Sequence, residues 1–259
     1  MTRQRAVMNE EDTVFIFMKG RLLMNILLLM MGGSGIRFGA EIPKQYVLVE
    51  ERPVFSYIMK GYDCCDCVDR MIVVTHPDWV EYVEQWRSKL GISKLYSIVP
   101  GGSTRSESVK NGLISASEFA QPEDVVLIHD ATHPYVDETG TMQVIEAVKT
   151  WGGATLGEGQ FDTMYQMDAD TRMLAQVVPR EQIVSGASPE AFRFGDIYRI
   201  YMDSSPEEMS RMTSAGAIAL HHGIRMQVIP SNVINLKITY QNDMDVFRQL
   251  VHLYFDRYF

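Results

Sequence analysis

The sequence has no excess of basic residues. Its 24 Lys and Arg against 33 Asp and Glu give a formal net charge of −9 over 259 residues. Nucleic-acid binders usually present a basic face to the phosphate backbone, so this balance argues against a nucleic-acid partner. A small local cluster of cations remains compatible with a small phosphorylated substrate.

Long apolar runs and paired cysteines are also lacking. No run of 18 apolar residues occurs, so the sequence predicts no membrane span. Three cysteines cannot all pair within one chain, which favours a reducing compartment, and we expect the protein to be cytoplasmic. Cys64, Cys65 and Cys67 are crowded, but no Cys or His pair at zinc-ligand spacing accompanies them. They are interpreted as thiols near a helix end.

The composition is that of a globular chain with a sizeable core, at 46% hydrophobic and 22% charged residues. We expect an N-terminal extension over residues 1–23, with Met24 as an alternative start, followed by a single domain over 24–259. The apolar segment 24–31 follows acidic residues and lacks a cleavage pattern. It is therefore interpreted as a buried first strand and not as a signal peptide.

Apolar runs alternate with stretches of helical period in the first 150 residues, which predicts an α/β fold with a mainly parallel sheet. The predicted strands are Ile26–Met31, Met71–Thr75, Leu95–Val99 and Val125–His129, and the predicted helices are 78–90 and 104–119. The strands are continuous Ile, Val and Leu runs, as expected for a sheet covered on both faces.

The pattern changes after Trp151. Residues 157–182 are polar and contain Asp168-Ala-Asp170, which predicts a projecting β-hairpin arm with a turn at those residues. Further strands are predicted near 225–229 and 235–239, and a last helix over 243–258. A lone hairpin is marginally stable in water, so the arm is expected to pack on a second subunit.

The first predicted strand ends in the glycine-rich stretch Gly32-Gly33-Ser34-Gly35-Ile36-Arg37-Phe38-Gly39. Glycines at this place let backbone N–H groups approach a phosphate closely. No Gly-Lys-Ser/Thr follows, so it is not a P-loop. It is a poor dinucleotide fingerprint too, although a dinucleotide-dependent oxidoreductase remains an alternative. Arg37 and Lys44, with Pro43 keeping the chain out of a helix, are spaced to surround a triphosphate; solvated surface charge is the competing interpretation.

Five segments, in order, resemble the CTP-dependent cytidylyltransferases of sugar and polyol phosphates. They are the glycine loop with Pro43-Lys44-Gln45-Tyr46, the stretch from Gly101 to Val109, His129-Asp130-Ala131, Asp162-Thr163-Met164, and Asn235-Leu236-Lys237-Ile238-Thr239. The resembling branch contains the 2-C-methyl-D-erythritol 4-phosphate and ribitol-5-phosphate enzymes. The likeness runs from about Asn25 to Asp245, and at 101–109 it places a helix N-terminus with free N–H groups beside the nucleotide.

The resemblance implies a Rossmann-like, GT-A-like nucleotidyltransferase fold of three layers and a homodimer formed through the arm. It implies transfer of CMP from CTP to a polyol phosphate with release of pyrophosphate, in isoprenoid or in teichoic-acid or capsule biosynthesis. The implied catalytic residues are Arg37, Lys44 and Lys237; the implied nucleotide-binding residues are Gly32, Gly33, Ser34, Gly35, Gly102, Ser103, Ser108, Asp130 and Ala131. Asp130, His133, Thr163, Arg180 and Lys237 would bind the acceptor, with Thr163 and Arg180 coming from the partner. Asp130 would be the protein ligand of a Mg²⁺ ion.

Three positions depart from the family pattern. His133 stands where an Arg usually precedes Pro134, Glu190 replaces a Gln, and Ser214 replaces an acid. A histidine titrates near neutrality, so His133 is expected to lend a pH dependence to acceptor binding, unless it only caps the turn. The arm segment Val178-Pro179-Arg180-Glu181 resembles the ribitol-phosphate enzymes slightly more, with methylerythritol 4-phosphate close behind. A non-catalytic nucleotide-binding relative is the alternative function.

Overall fold

The computed structural model describes residues 23–33 and 42–259. The strands are β1 Asn25–Met31, β2 Leu48–Val49, β3 Arg52–Pro53, β4 Arg70–Thr75, β5 Leu95–Pro100, β6 Val125–Asp130, β7 Gly152–Gly159, β8 Met164–Met167, β9 Leu174–Val178, β10 Val184–Arg193 and β11 Arg225–Pro230. The helices are α1 Val54–Asp63, α2 Val80–Leu90, α3 Arg105–Ala116, α4 Glu138–Trp151, α5 Phe194–Asp203, α6 Pro206–Arg211, α7 Ala215–His221 and α8 Gln241–Phe255.

Seven of these strands form the main sheet, in the order β11-β7-β10-β6-β1-β4-β5. Neighbouring strands are parallel except where β10 pairs antiparallel with both β6 and β7. The four strands predicted in the first half of the chain are confirmed within a residue or two. Their carboxyl ends therefore meet at one edge of the sheet, which is where ligands bind in open α/β folds.

Side chains alternate between the two faces of the central strand β1 and build a separate core on each face. Leu27 and Leu29 pack with apolar residues of α1, α2 and α4, whereas Ile26 and Leu28 pack with those of α3, α5, α6 and α7. Both faces are thus covered by helices, which explains why this strand is apolar at consecutive positions. The expected three layers are confirmed.

A third cluster attaches the C-terminal helix to the domain. Phe247 and Phe255 of α8 pack edge-on against Tyr57 of α1, at ring-centre distances of 5.5 and 5.1 Å. Aromatic pairs in this arrangement are favourable beyond their buried area. The predicted last helix, 243–258, is confirmed, but it begins two residues earlier and ends three residues earlier, before a 3-10 turn at Asp256–Tyr258.

The predicted arm is present as a hairpin. Strands β8 and β9 pair antiparallel outside the main sheet, and Asp168 closes the turn by accepting from the backbone N–H and hydroxyl of Thr171. The arm exposes apolar side chains, with Phe161 82% and Met173 69% accessible. No helix within 23–33 or 42–259 is long and apolar enough to cross a bilayer.

The prediction of a strand over 235–239 is wrong. That segment lies in an irregular connection between β11 and α8, because its backbone binds outside any ladder: Ile238 donates its N–H to the carbonyl of Thr132 at 2.8 Å. Apolar alternation at Leu236 and Ile238 reflects packing against the third cluster and not strand pairing. The same hydrogen bond places Lys237 beside the end of β6.

Candidate active site

A cavity of about 530 Å³ opens at the carboxyl ends of β1, β4, β5 and β6. The sequence-predicted residues that line it are Gly32, Gly33, Lys44, Gly102, Ser103, Ser108, Asp130 and Lys237. Sequence reasoning assigned no role to the other lining residues, among them Gln45, His76, Arg105 and Thr132. Ser34, Gly35 and Arg37 lie outside the described residues.

Close backbone approach explains two of the glycines beside this cavity. A Cβ at Gly101 would lie 3.0 Å from the Ser108 hydroxyl oxygen and 3.4 Å from the Thr75 carbonyl. A Cβ at Gly102 would lie 2.3 Å from the Cβ of Glu107, closer than any real contact. The loop after β5 can therefore fold onto the start of α3 only because side chains are missing there.

Hydrogen bonds within the same loop involve two of the predicted nucleotide-binding residues, Gly102 and Ser103. The Gly102 N–H donates to Ser108 Oγ at 3.0 Å, and the Ser103 N–H and hydroxyl donate to Glu107 Oε2 at 2.7 and 2.6 Å. Thr104 caps α3 by accepting from the Glu107 N–H at 3.1 Å. The N–H groups of Gly102 and Ser103 thus bind within the loop and the start of α3. The role of these residues and of the helix N-terminus in nucleotide binding stays a prediction.

The segment around Lys44 is fastened to the glycine loop by its neighbours. Gln45, which is 2% exposed, donates to the carbonyls of Met31 and Gly33 at 2.7 and 2.8 Å. Tyr46 stacks on Trp79 with ring centres 4.0 Å apart. These contacts hold Lys44 at the cavity wall, so Gln45 is a positioning residue that the motif contained but whose role the sequence did not reveal.

Asp130, the last residue of β6, lies between two cations. Its Oδ1 accepts from Arg105 Nη2 at 3.0 Å and its Oδ2 from Lys237 Nζ at 3.0 Å. Burial by itself would raise the pKa of Asp130, but the Arg105 and Lys237 charges outweigh it and hold that pKa well below its usual range. The site thus keeps a permanent carboxylate that presents two cations to the cavity.

The neighbouring His129 belongs to the core. It is fully buried, its Nδ1 lies 2.8 Å from the Tyr62 hydroxyl, and its Nε2 lies 2.8 Å from the His133 carbonyl. Since the carbonyl only accepts, Nε2 carries the proton and Nδ1 accepts from Tyr62. Burial lowers the pKa of His129 to about 4, so the ring is neutral and both nitrogens are occupied within the protein.

His133 does not have the neutral-range pKa that the sequence suggested. Burial, reinforced by the charge of Lys237, lowers the pKa of His133 to about 3. Its Nδ1 lies 2.8 Å from the hydroxyl of Ser188, which also accepts the Asp130 N–H at 3.4 Å. The expectation of a titration near pH 6.5 is therefore wrong for the free protein, because burial and the charges of Lys237 and Lys44 disfavour a protonated ring.

We expect the kcat/KM of the acceptor to show no ionisation from His133 between pH 6 and 8. The His133→Arg variant should change the size of kcat/KM but leave the shape of its pH profile unchanged. The profile is measured for both proteins at a CTP concentration well below its KM, so that it reports groups of the free enzyme. A fall centred near pH 6.5 that His133→Arg abolishes would contradict the neutral ring.

Four of the predicted site residues that the structure describes do not line this cavity: Ala131, Thr163 and Arg180, and also His133, which lines a smaller neighbouring cavity with Ser188. Ala131 is fully buried and gives its N–H to the Met30 carbonyl at 3.0 Å. Thr163 and Arg180 lie on the arm, where Thr163 is exposed and Arg180 donates to the Phe161 carbonyl at 2.6 Å. Within one chain, the arm leaves Arg180 outside the cavity lining.

The chain is similar to known proteins of one family. A family model described as 2-C-methyl-D-erythritol 4-phosphate cytidylyltransferase matches residues 25–252. The protein of that name from Thermotoga neapolitana is 31% identical over 226 residues, covering 87% of this chain and 96% of its own. A ribitol-5-phosphate cytidylyltransferase from Streptococcus agalactiae is 25% identical over 229 residues, covering 88% and 95%.

Solved structures agree on the fold. The crystal structure of 4-diphosphocytidyl-2C-methyl-D-erythritol synthase from Anaerococcus prevotii matches with a TM-score of 0.73 at 20% identity, over 89% of this chain and 96% of that one. A second synthase of the same name matches with a TM-score of 0.72 over 89% and 100%. The expected α/β nucleotidyltransferase fold is confirmed.

Proposed function

The chain belongs to the 2-C-methyl-D-erythritol 4-phosphate cytidylyltransferase family, and from that premise we propose that it transfers CMP from CTP to a polyol phosphate and releases pyrophosphate. One structural observation supports assigning this reaction to the cavity described above. The cations Lys44, Arg105 and Lys237 line a single cavity at the carboxyl edge of the sheet, around one permanent carboxylate. Three cations in an otherwise acidic protein suit a ligand with several phosphates.

The reaction is a direct displacement at phosphorus. An oxygen of the acceptor's phosphate attacks the α-phosphorus of CTP, the bond to the bridging oxygen breaks, and pyrophosphate leaves with the electron pair. Both reactants are anions, so fixed positive charge and alignment supply most of the catalysis. Lys44 is proposed to face the triphosphate and its leaving group, and Lys237, which donates to Asp130, to face the α-phosphate or the acceptor's phosphate. Arg37 is proposed as a second triphosphate ligand on its motif.

Mg²⁺ is proposed as the cofactor. The described residues hold no group of three or more His, Cys, Asp or Glu side chains that would cage a metal, and both oxygens of Asp130 are engaged with cations. Asp130 still fits Mg²⁺, because each of its oxygens keeps a second lone pair, and this ion retains waters and binds mainly through substrate phosphates with one or two carboxylates. Asp130 would be its protein contact, and the ion would neutralise phosphate charge.

The arm is proposed to complete the site of a second subunit. It leaves apolar side chains in water, among them Phe161, Met173, Leu174 and Val177, all more than 60% exposed. Burial against a partner would remove this surface from water and stabilise an otherwise marginal hairpin. Arg180 and Thr163 of one chain would then reach the acceptor's phosphate in its partner, and a planar guanidinium suits a two-point grip on phosphate.

For the acceptor we propose 2-C-methyl-D-erythritol 4-phosphate. The matching family model and the 31%-identical relatives carry that name, whereas the ribitol-5-phosphate relatives are 25 to 26% identical. Ribitol 5-phosphate is the second candidate because the arm sequence Val178-Pro179-Arg180-Glu181 resembles those enzymes.

Pyrophosphate release tests the function and the acceptor together. The chain is incubated with CTP, Mg²⁺ and each polyol phosphate in turn, and we expect turnover with 2-C-methyl-D-erythritol 4-phosphate. Turnover with ribitol 5-phosphate alone would reverse the order of the candidates. CTP binding without pyrophosphate release on any acceptor would show a non-catalytic relative. Saturable NAD binding without CTP binding would refute the proposal.

A further inference from the structure

Glu190 carries a carboxylate with one fully buried oxygen next to Arg105, which lines the active-site cavity. It lies on β10 opposite Ile128, two residues before Asp130. Its Oε1 accepts the Gly216 N–H at 2.9 Å, but its Oε2 is shielded from water and has no hydrogen-bond partner. A buried oxygen that accepts no hydrogen bond is destabilising, and a nearby positive charge can offset this cost.

The start of α7 is shaped to receive this side chain. A Cβ at Gly216 would lie 2.6 Å from Oε1 of Glu190. Glycine at position 216 therefore allows the carboxylate to reach the helix backbone. The resulting hydrogen bond fixes Oε1, and with it the direction in which Oε2 points.

Arg105 supplies the positive charge. Its Nη2 lies 3.0 Å from Oδ1 of Asp130 and 3.9 Å from Oε2 of Glu190. One nitrogen of the guanidinium thus faces two carboxylates, one at the cavity and one behind it. Burial raises the pKa of Glu190, and the Arg105 charge opposes that rise, as expected if the two groups interact as an ion pair.

We propose that Glu190 is a positioning residue that holds Arg105 between two carboxylates at the cavity wall and weakens the hold of the site on pyrophosphate. The formal charges of Asp130 and Glu190 balance those of Arg105 and Lys237, so the group is neutral. Without the Glu190 charge it would carry one net positive charge beside the phosphates. The inference rests on the phosphate placement proposed above.

The Glu190→Gln variant tests this with inorganic pyrophosphate as the probe, titrated calorimetrically into the full-length protein. The amide keeps an oxygen for the Gly216 N–H and removes the charge. We expect the Kd of pyrophosphate to fall about fivefold, since one buried charge near the ligand is lost. In turnover, the KM of CTP should fall because the ground state binds more tightly. The kcat should also fall because Arg105 is no longer held by a second carboxylate.

Two control variants separate the possible failures. Glu146→Gln removes an equal charge from an exposed ion pair with Lys149 on α4 and should leave the Kd of pyrophosphate unchanged. Lys44→Ala should weaken pyrophosphate binding if the cavity holds phosphates. A normal Kd of pyrophosphate in Lys44→Ala would refute the placement of phosphates in the cavity. If Lys44→Ala binds pyrophosphate more weakly but Glu190→Gln does not bind it more tightly than the unaltered protein, only the role of Glu190 is overturned.

Thermal unfolding of each variant shows whether the fold is retained. If Glu190→Gln does not fold, Glu190→Met carries the same test. An apolar side chain of similar length removes the charge and the unpaired Oε2 together, although the Gly216 N–H then loses its acceptor. Tighter pyrophosphate binding supports the inference. A Kd equal to or above that of the unaltered protein in a folded variant contradicts it.

Discussion

Replacement of Lys44 by alanine is expected to lower turnover at least about a hundredfold, the scale of losing one charge-stabilising group in an active site. Lys44 lies at the cavity wall in a segment that Gln45 and Tyr46 fasten to β1 through their own side chains. Those contacts do not involve the lysine ammonium. The variant should therefore retain its fold while losing charge opposite the leaving pyrophosphate.

Steady-state rates with CTP and the accepted polyol phosphate measure this loss. Lys149→Ala is the matched control, since Lys149 forms an exposed ion pair with Glu146 on the surface of α4. It should keep the rate of the unaltered protein. If the rate of Lys44→Ala stays within a fewfold of normal and its melting temperature is unchanged, the proposed placement of the triphosphate beside Lys44 is contradicted.

Mixing two inactive variants is expected to restore activity if the arm serves the partner's site. Arg180→Ala and Lys44→Ala chains, each nearly inactive, should form hybrid dimers in which one site has both residues and the other has neither. Random exchange of equal amounts gives half hybrids, so about a quarter of all sites become intact. The expected recovery is thus from near zero to about a quarter of the normal rate.

Subunit exchange must be demonstrated separately, for instance with differently tagged chains recovered together. The control mixture pairs Lys44→Ala with a Lys44→Ala/Arg180→Ala double variant, which has no route to an intact site. Recovery in the first mixture alone places Arg180 in the neighbour's site. Exchange without recovery would show that Arg180 acts in its own chain or takes no part in the reaction.

Several features could be predicted from the sequence because they depend on neighbours along the chain. The continuous apolar run of β1 required cover on both faces, and the structure places helices on both. The acidic turn of the arm is closed by Asp168 within three residues. The ordered motifs located Lys44, Asp130 and Lys237, since residue type and spacing are visible without coordinates.

Other predictions failed because the deciding partner is remote. Residues 235–239 have an alternation that suits a strand, yet the N–H of Ile238 binds Thr132, more than a hundred positions earlier. His133 was expected to titrate near neutrality from its type alone. Its pKa depends on burial and on Lys237, and neither can be derived from the residues adjacent to it.

The sequence by itself determined the α/β class, the order of the motifs and two cations of the site, Lys44 and Lys237, but not Arg105. Only the tertiary structure decided how the charges are paired: Asp130 is 25 positions from Arg105 and 107 from Lys237, yet it lies 3.0 Å from both. It also decided that Glu190 retains an oxygen without a hydrogen bond. The physical reason is that Coulomb energy and desolvation depend on distance and burial in space, whereas motif and periodicity record only separation along the chain.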